Sequence, residues 1–532
     1  MRLSPSRNTE APRLRGRFVF GKNRLGASVS RCFVKAFLFL LVGTIPGEAQ
    51  IAPTRHLVIP FENVTRDPRG FWLTEGSAVL LTDDLIALGL PAITRDDRLR
   101  AFDRLRVPPV ATLSHATVIR LGQLVGAVQV IVGAFELQGS DLVVRARTIR
   151  LDTGRMSPEI VERGPLSDIF GVYARVARRI APDSPVTVEQ MEQVHPSLAA
   201  FEQFIKGVLA ESPASQIAFL TQALRLFPTF QRVRIALWNV HTEQSEHKQA
   251  LAIARQVPAT ARLARQARFL SAVSLLHLGQ HQEAFDAFSE LNRAMPDPAI
   301  LNNMGIAQLR RPAGSPGGRA ISYFGEAMKL DPNDSDLFFN LGYAYWLDRD
   351  TQGAINWLRE SVRRNPADDE AHYALGVALQ AAGNASEAAR EKELARQLSS
   401  TYAELEAKQP GANTLPRGLE RLKTGIDVPA SLRLEEVVVA LEQRDQREAA
   451  AFHLDRATRF FEAELDEEAI AELRRTLFLA PYDSQAHLLL GRIYLRNGRA
   501  QEAIDALTIA VWSDPGNADA KSLLGTATPP LP

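Results

Sequence analysis

Cysteine is almost absent from this sequence, and its scarcity excludes several kinds of site. The one cysteine, Cys32, stands before an apolar run at residues 33–42. A lipid-modified cysteine would follow such a run, so Cys32 does not fit that role. Removal of the leader that contains Cys32 would leave a chain without thiols. A disulfide framework, a thiolate zinc site and a cysteine nucleophile are therefore not expected.

A strong net charge is also missing, since the chain has 62 basic and 61 acidic residues. The two signs are unevenly placed, because residues 1–49 hold nine lysines and arginines and only two acidic residues. The remainder carries 53 basic and 59 acidic residues and is mildly acidic. This balance argues against nucleic acid as a partner.

Catalytic signatures are missing as well. The sequence has no Walker loop, no GxGxxG motif and no HExxH motif. Gly122, Gly126 and Gly133 lie near a predicted strand, but the segment is too apolar for a phosphate cradle, and turn and packing roles fit better. We therefore predict that the protein is not an enzyme and carries no cofactor.

A few polar residues are weaker candidates for chemistry. His277 and His281, with Glu283 nearby, have a spacing that could hold zinc on a helix, but Gly279 places them at a turn, and we predict no metal site. Paired carboxylates need one raised pKa for acid–base catalysis, and the sequence gives no sign of the necessary burial. An unrecognised active site at these carboxylates is the alternative; the pairs are Asp83 with Asp84 and Asp96 with Asp97.

Residues 1–49 have the order of a secretory signal: a basic leader that ends at Lys35, an apolar run, and small residues before a cut at Gln50. The uninterrupted apolar stretch, residues 36–42, is much shorter than the roughly 20 residues of a membrane-spanning helix. We expect export to the periplasm or cell envelope of a bacterium. The alternative is an uncleaved N-terminal anchor that associates with the membrane. The long leader also suggests a later start, at Val29 or Val34.

Residues 50–182 alternate between strand and helix patterns, which predicts an α/β domain. The runs RHLVIPFENV, VQVIVGAFEL and DLVVRARTIRLD have the composition of strands, and PAIT at residues 91–94 predicts a further short strand. Apolar residues at helical spacing predict helices over residues 71–88, 114–126 and 166–180.

The stretch LVIPFENVTRDPRGFWLTEGSAVLLTDDLIAL, together with the later VIVGAF and LVVRARTIRLDTG, resembles the N-terminal domain of TolB-type proteins. In that family a strand that ends in a Pro-Phe-x-Asn turn leads into a leucine-rich helix. The resemblance implies a domain that accompanies tetratricopeptide repeats or occurs in envelope and sensor proteins. It implies no catalytic residues.

A period of 34 residues dominates the sequence after residue 196. Gly342, Ala354 and Leu358 recur 34 residues later as Gly376, Ala388 and Lys392, and the same spacing relates Ala457, Ala469 and Pro481 to Gly491, Ala503 and Pro515. Small residues at the helix crossing and proline after the second helix resemble the tetratricopeptide repeat (TPR) pattern. Asp or Asn beside each proline is expected to cap the next helix.

The sequence thus predicts a multidomain protein with an N-terminal α/β domain followed by an all-α superhelical solenoid. The predicted parts are the signal or anchor at 1–49, the TolB-like domain at 50–182, about six repeats at 196–400, a linker with a packing helix at 401–449, a C-terminal repeat pair at 450–516 and a tail at 517–532. We expect the linker helix, in LRLEEVVVALEQR, to pack on the repeats, because two repeats alone are marginal. A flexible linker is the alternative.

The first helices of a tetratricopeptide solenoid line its concave groove, so the repeat frame predicts a binding surface. The lining is apolar and aromatic, and it lacks the Lys/Asn/Arg set that clamps a C-terminal carboxylate in chaperone-binding members of that family. We expect protein or peptide partners with apolar segments. The alternative is a groove covered by residues 400–449. The predicted lining is Asn302, Ile306 and Leu309; Phe339, Tyr343 and Trp346; Tyr373, Val377 and Gln380; Leu454, Thr458 and Phe461; and Leu488, Arg492 and Leu495.

The segment FFNLGYAYW, residues 338–346, has five aromatic residues in nine positions. The frame divides it into two stripes. Phe338, Leu341 and Tyr345 are predicted to pack on the second helix, whereas Phe339, Tyr343 and Trp346 face the groove.

These patterns predict a non-enzymatic exported scaffold that binds protein partners through its groove. A ligand-sensing or regulatory subunit, in which the α/β domain senses and the repeats relay, is the alternative.

Overall fold

The computed structural model describes residues 55–105, 107, 113–187, 195–399, 414–427 and 436–527. The predictions for residues 1–49 and 401–413, including the signal and Cys32, lie outside these ranges. The described chain consists of an N-terminal α/β region and a long series of helix pairs, which confirms the predicted fold class.

The α/β region is built on one mixed sheet. The strand order is β1-β3-β4-β5, and β2 pairs with the far end of β3; β1 and β2 run parallel to β3, and the other pairs are antiparallel. Position 133 of β3 must be glycine, because a Cβ there would lie 2.6 Å from the carbonyl oxygen of Arg145 on the neighbouring strand β4. The strands are β1 (His56–Val58), β2 (Glu62–Asn63), β3 (Gln129–Gln138), β4 (Asp141–Arg150) and β5 (Ile160–Pro165).

Alternate residues of the strands pack against helices on the two faces of the sheet. Val58, Ile131 and Phe135 join the core under α1 and α4, whereas Leu57 and Val130 join the core under α2 and α3. Hydrophobic residues on both faces explain why these strands have nearly continuous apolar sequences. The helices are α1 (Leu73–Ala87), α2 (Arg95–Arg104), α3 (His115–Leu124) and α4 (Ile169–Ile180).

Three details of the α/β region differ from the sequence predictions. The predicted strand at residues 91–94 is reduced to a single bridge between Ala92 and His56. The next residues form α2, which was not predicted because its composition is too polar to show a clear apolar stripe. Asp96 and Asp97 lie in the first turn of this helix. Strand β5 was not predicted.

The repeats follow as antiparallel helix pairs. Gly342 shows why their crossing needs a small residue: a Cβ there would lie 2.8 Å from Cγ of Leu358 in the partner helix. The helices of the first array are α5 (Leu198–Leu209), α6 (Pro213–Leu226), α7 (Gln231–Glu243), α8 (His247–Ala254), α9 (Ala264–His277), α10 (His281–Ala294), α11 (Pro298–Arg310), α12 (Ala320–Leu330), α13 (Ser335–Leu347), α14 (Thr351–Arg364), α15 (Asp369–Ala381) and α16 (Ala385–Leu398).

The C-terminal helices begin with a long one that crosses residue 450, where the linker was predicted to end. The predicted packing helix and the first repeat helix of the pair are therefore parts of one helix. These helices are α17 (Glu436–Glu462), α18 (Asp466–Leu479), α19 (Ser484–Arg496), α20 (Ala500–Ser513) and α21 (Ala518–Ala527).

The C-terminal pair packs back on the beginning of the chain. Phe71, just before α1, meets Tyr482 edge to face at 5.5 Å between ring centroids, and Tyr482 stacks on Trp512 at 5.4 Å. Lys206 of α5 lies over the Trp512 ring at 5.7 Å. Because aromatic contacts of this kind bury large areas, they tie the C-terminal pair to the α/β region and to the first repeat helix.

Candidate functional site

The concave side of α11, α13 and α15 holds an extended stretch of the same chain. Residues 414–427, TLPRGLERLKTGID, form neither helix nor strand and lie across the first helices of three successive repeats. We call this stretch the groove segment. It comes from the region between the two repeat arrays, so its polar contacts with the groove join residues 51 to 130 positions apart in sequence.

Three buried asparagines bind the backbone of the groove segment. The Asn340 side chain accepts from the N–H of Arg421 at 2.8 Å and donates to its carbonyl oxygen at 2.8 Å. Asn303 makes the same pair of bonds to Lys423, at 3.0 and 2.8 Å, and Asn302 donates to the Arg421 carbonyl at 2.9 Å. A carboxamide that satisfies both backbone groups of one residue recognises an extended chain without regard to its sequence.

The groove also binds the Arg421 side chain. Both carboxylate oxygens of Asp368 accept from its guanidinium at 2.6 Å, Asp336 accepts at 2.9 Å and Glu370 lies 3.3 Å away. The guanidinium lies over the Phe339 ring at 3.8 Å. A paired bond to one carboxylate and stacking on an aromatic face both require a planar fork, which arginine has and lysine lacks.

A second cation site holds Lys423. Its ammonium group lies 2.6 Å from Asp336 and 3.0 Å from Asp334. Although burial disfavours the charged carboxylate, Lys423 and Arg421 lower the pKa of Asp336 to about 2. At Asp334, burial raises the pKa more than Lys423 lowers it. At Glu370, burial likewise raises the pKa more than Arg421 lowers it.

Two of these acidic groups, together with Asp297, stand at equivalent repeat positions as the N-caps of α11, α13 and α15. Asp297, Asp334 and Asp368 each accept from a backbone N–H in the first turn of the helix. Each also contacts the groove segment, since Asp297 accepts from the N–H of Asp427 at 3.0 Å and the other two bind its cations. These three successive repeats therefore each place a capping carboxylate at the groove edge.

Apolar and polar contacts fix the direction of the groove segment. Tyr343 donates to the carbonyl of Pro416 at 2.7 Å near the start of the segment, and Asp427 pairs with Arg265 of α9 at 3.1 Å near its end. The segment thus runs opposite to the order of the repeats. Its apolar side chains enter the repeat core, Leu415 and Leu419 beside the aromatic residues and Leu422 and Ile426 in the preceding units.

The predicted groove residues of the central repeats lie under or beside this segment. Asn302 contacts it through a hydrogen bond, Phe339 and Tyr343 are fully buried beneath it, and Trp346 packs half-buried against the same cluster. Tyr373 and Val377 belong to that cluster too, while Leu309 is half-buried against the cluster of the preceding units.

The predicted residues of the C-terminal pair lie elsewhere. Arg492 pairs with Asp519 of α21 at 2.7 Å, and Thr458 bonds within its own helix. These residues do not contact the groove segment in the described structure.

The lining is less apolar than the sequence suggested. The aromatic stripe is present, but Asn303, Asn340 and the acidic residues that bind the segment were not predicted as site residues. One signal was available, since LNNMG and FFNLG each place asparagine two residues before the glycine of the helix crossing. An amide at a repeated position inside a buried helix indicates a polar partner.

The other candidates for chemistry are held in structural contacts. His277 stacks on His247 with ring centroids 4.1 Å apart, and within the described ranges no group of three His, Cys, Asp or Glu side chains could hold a metal. Asp83 pairs with Arg232, and Asp97 bonds to Thr94 and Arg100. Contrary to expectation, Asp84 is buried, and this burial, with Asp83 beside it, raises its pKa well above the ordinary value.

A buried histidine makes the C-terminal pair sensitive to acid. His487 bonds to the carbonyl of Pro481 at 2.9 Å, and burial lowers its pKa from 6.5 to about 4 despite that bond. Between these values the unfolded chain binds a proton that the folded chain does not. The contribution of His487 to stability is therefore complete above pH 6.5 and is lost as the pH decreases towards 4.

We expect His487→Met to flatten this pH dependence. Each unit of pKa shift corresponds to about 1.4 kcal/mol, so the wild type should lose roughly 3 kcal/mol more than the variant over this range. Urea unfolding followed across the range measures the difference, and the lost Pro481 bond cancels because it affects every pH equally. Substitution of the exposed His115 by glutamine is the control; an equal slope in wild type and H487M would contradict the prediction.

The fold and the occupied groove define a helical-repeat protein that holds an extended polypeptide on its concave side. A sequence model of the tetratricopeptide repeat matches residues 236–298, 318–369 and 454–520, which confirms the predicted repeats. No curated protein matches the chain in sequence. None of the described helices is long and apolar enough to span a membrane.

Several solved structures are similar to parts of the chain. YrrB, described as a TPR protein with an unusual peptide-binding site, is 21% identical over 36% of this chain and 97% of its own, with a TM-score of 0.28. MamA from Desulfovibrio magneticus RS-1 is 17% identical over 34% of this chain and 97% of its own, with a TM-score of 0.28. The Cut9–Hcn1 complex of APC/C is 13% identical over 64% of this chain and 65% of its own, with a TM-score of 0.27. Identities of this size concern the repeat fold alone.

Proposed function

We propose that this protein is a non-enzymatic scaffold, exported to the bacterial cell envelope, that binds protein partners through the groove of α11, α13 and α15. One observation carries the proposal: Asn302, Asn303 and Asn340 hydrogen-bond to the backbone of an extended chain. Asn302 and Asn340 also bond to each other between two repeats, but the backbone bonds made by all three amides are those that a bound extended peptide would satisfy.

The remaining parts of the proposal rest on the sequence. The signal-like order of residues 1–49 supports export, with membrane association if that segment is retained. The resemblance to TolB-type domains supports an envelope setting, and the mixed sheet of the α/β region is consistent with it. The salt bridges of Asp83 to Arg232 and of Asp97 to Arg100 support a structural role for these carboxylates, in keeping with a protein without catalysis.

We further propose that partners supply apolar side chains to the aromatic stripe. Leu415 and Leu419 of the groove segment already use this surface, beside Tyr343 and Trp346. A partner with leucines at similar spacing would bury the same aromatic area.

Trp346→Ala is expected to weaken partner binding and to change thermal stability little, because this indole is half-buried at the edge of the stripe. Phe338→Ala should do the reverse. Its ring is only 3% exposed, between Trp357 and the Arg364 guanidinium, so its removal should cost roughly 3–5 kcal/mol. Thermal melting and partner capture, performed on both variants, measure the two effects. Unfolding of the W346A variant would show that both stripes are core.

The proposed function is tested by cross-linking the tagged full-length chain in cells of its source and identifying the proteins recovered from the envelope fraction. We expect specific partners that decrease with W346A. Recovery of nothing above background with several cross-linkers, or of the same proteins with both forms, would contradict the scaffold.

A further inference from the structure

We propose that the partner bound by this groove is an extended basic peptide with arginine and lysine two residues apart, and that the groove segment occupies the site until such a peptide replaces it. This inference rests on the proposed function and specifies its ligand. The sequence Leu-Glu-Arg-Leu-Lys at residues 419–423 gives the pattern and its register.

The backbone contacts select conformation, and the side-chain contacts select charge. The asparagine bonds to Arg421 and Lys423 would form with any residue except proline at those two positions. The two cation sites would not accept every residue, because four carboxylates surround them and require positive charge. These are Asp334, Asp336, Asp368 and Glu370.

A groove filled by a peptide of the wrong charge is unfavourable on the same grounds. Asp336 and Asp368 are at most 12% exposed in the occupied groove, and buried carboxylates need cationic partners. A peptide with neutral or acidic residues at the two positions would leave them uncompensated. A nucleic-acid backbone is excluded for the same reason. A replacement must therefore bring the same two charges.

The connection of the groove segment to the repeats allows exchange. Fourteen residues separate it from residue 399 and eight separate it from α17. Connections of this length span tens of ångströms when extended, at about 3.4 Å per residue, so release does not require movement of the repeats. Tethering gives the segment an effective concentration on the order of millimolar, which reduces the apparent affinity of any competitor.

The test is a titration of the full-length chain with a fluorescent peptide, TLPRGLERLKTGID. The chain is used as wild type and as the double variant Arg421→Ala with Lys423→Ala, which removes the anchoring charges of the groove segment. We expect the peptide to bind the double variant at least about tenfold more tightly than the wild type, because the internal competitor is weakened. A matched peptide with alanine at both cationic positions should bind the double variant at least about tenfold more weakly.

Three outcomes would overturn the proposal. A folded double variant that does not bind the peptide would show that the groove segment is a permanent strap. Equal binding of the two peptides would show that the carboxylates do not select charge. Wild-type dimers that disappear in the double variant would assign the groove to the segment of a second copy. If the double variant does not fold, Leu415→Ala with Leu419→Ala weakens the segment while keeping both charges.

The titration and the cross-linking experiment distinguish a wrong ligand from a wrong function. Loss of peptide binding with partners still recovered by cross-linking would reject the basic ligand and retain the scaffold. Peptide binding without recoverable partners would retain the charge selectivity and reject the envelope scaffold.

Discussion

Asn340→Ala is expected to free residues 414–427 from the groove and to lower the free energy of unfolding by roughly 2–4 kcal/mol. The Asn340 side chain is fully buried and satisfies both backbone groups of Arg421, and it also donates to Asn302 at 2.8 Å. Its loss removes one hydrogen-bond partner from each of three buried polar groups: the N–H and the carbonyl oxygen of Arg421, and Oδ1 of Asn302. Groups of this kind cost about 1–3 kcal/mol each, and departure of the segment into water recovers part of the loss.

Urea unfolding and trypsin digestion measure the two consequences. Arg421 and Lys423 have side chains that are 11% and 12% exposed, so cleavage after them requires release of the segment. The matched control is Asn356→Ala, on the exposed face of α14, where the amide bonds only to the neighbouring Gln352 among the bonds described. The control should change stability by less than about 0.5 kcal/mol. A trypsin-resistant, fully stable N340A variant would contradict the assigned role of the amide.

The repeat architecture could be predicted from sequence because its cause is local and periodic. Glycine at position 342 and leucine at position 358 meet at the helix crossing, and the same pair recurs at Gly491 and Leu507. The groove stripe through Phe339 and Tyr343 follows from the same period. Once the positions of the helices in the repeat are known, the helix face on which each residue lies is known as well.

The occupant of the groove could not be predicted in the same way. The groove segment contains one proline and two glycines, which is the pattern of a linker, although its apolar residues recur at helical spacing. Its polar contacts with the groove join residues 51 to 130 positions apart, which no local pattern reveals. Coverage by residues 400–449 was an open alternative, but the expected element was the helix of that region. Asp334 and Asp368 were interpretable as N-caps, and nothing local shows that each also binds a cation.

Helix α2 of the α/β region also depends on contacts that its own sequence does not reveal. Helix α2 is strongly polar, yet Ala101 and Phe102 are buried against the sheet, so its position depends on tertiary contacts. The buried arginine Arg98 on this helix is also unexpected for so polar a segment. The burial of Arg98 is explained by its ion pair with Glu75, 23 positions away in sequence, and not by local helix propensity.

That pairing predicts a large effect for Glu75→Leu. Arg98 is 1% exposed and its guanidinium donates to Glu75 of α1, which also accepts from Arg95 at 2.9 Å. Burial lowers the pKa of Arg98, although Glu75 opposes this effect. Removal of the carboxylate leaves a buried, uncompensated guanidinium, for which a loss of about 3–5 kcal/mol is typical.

The double variant Glu75→Leu with Arg98→Met is the matched control, because it removes both charges and keeps the volume apolar. We expect it to regain most of the stability lost by E75L, since a buried ion pair is often no more stabilising than well-packed apolar residues. Thermal and urea unfolding of the two single variants and the double variant complete the cycle. Arg95, whose side chain is 24% exposed and also donates to Val208 of α5, can turn to solvent in each case. A double variant no more stable than E75L would show that the loss comes from altered packing between α1 and α2, and not from the unpaired charge.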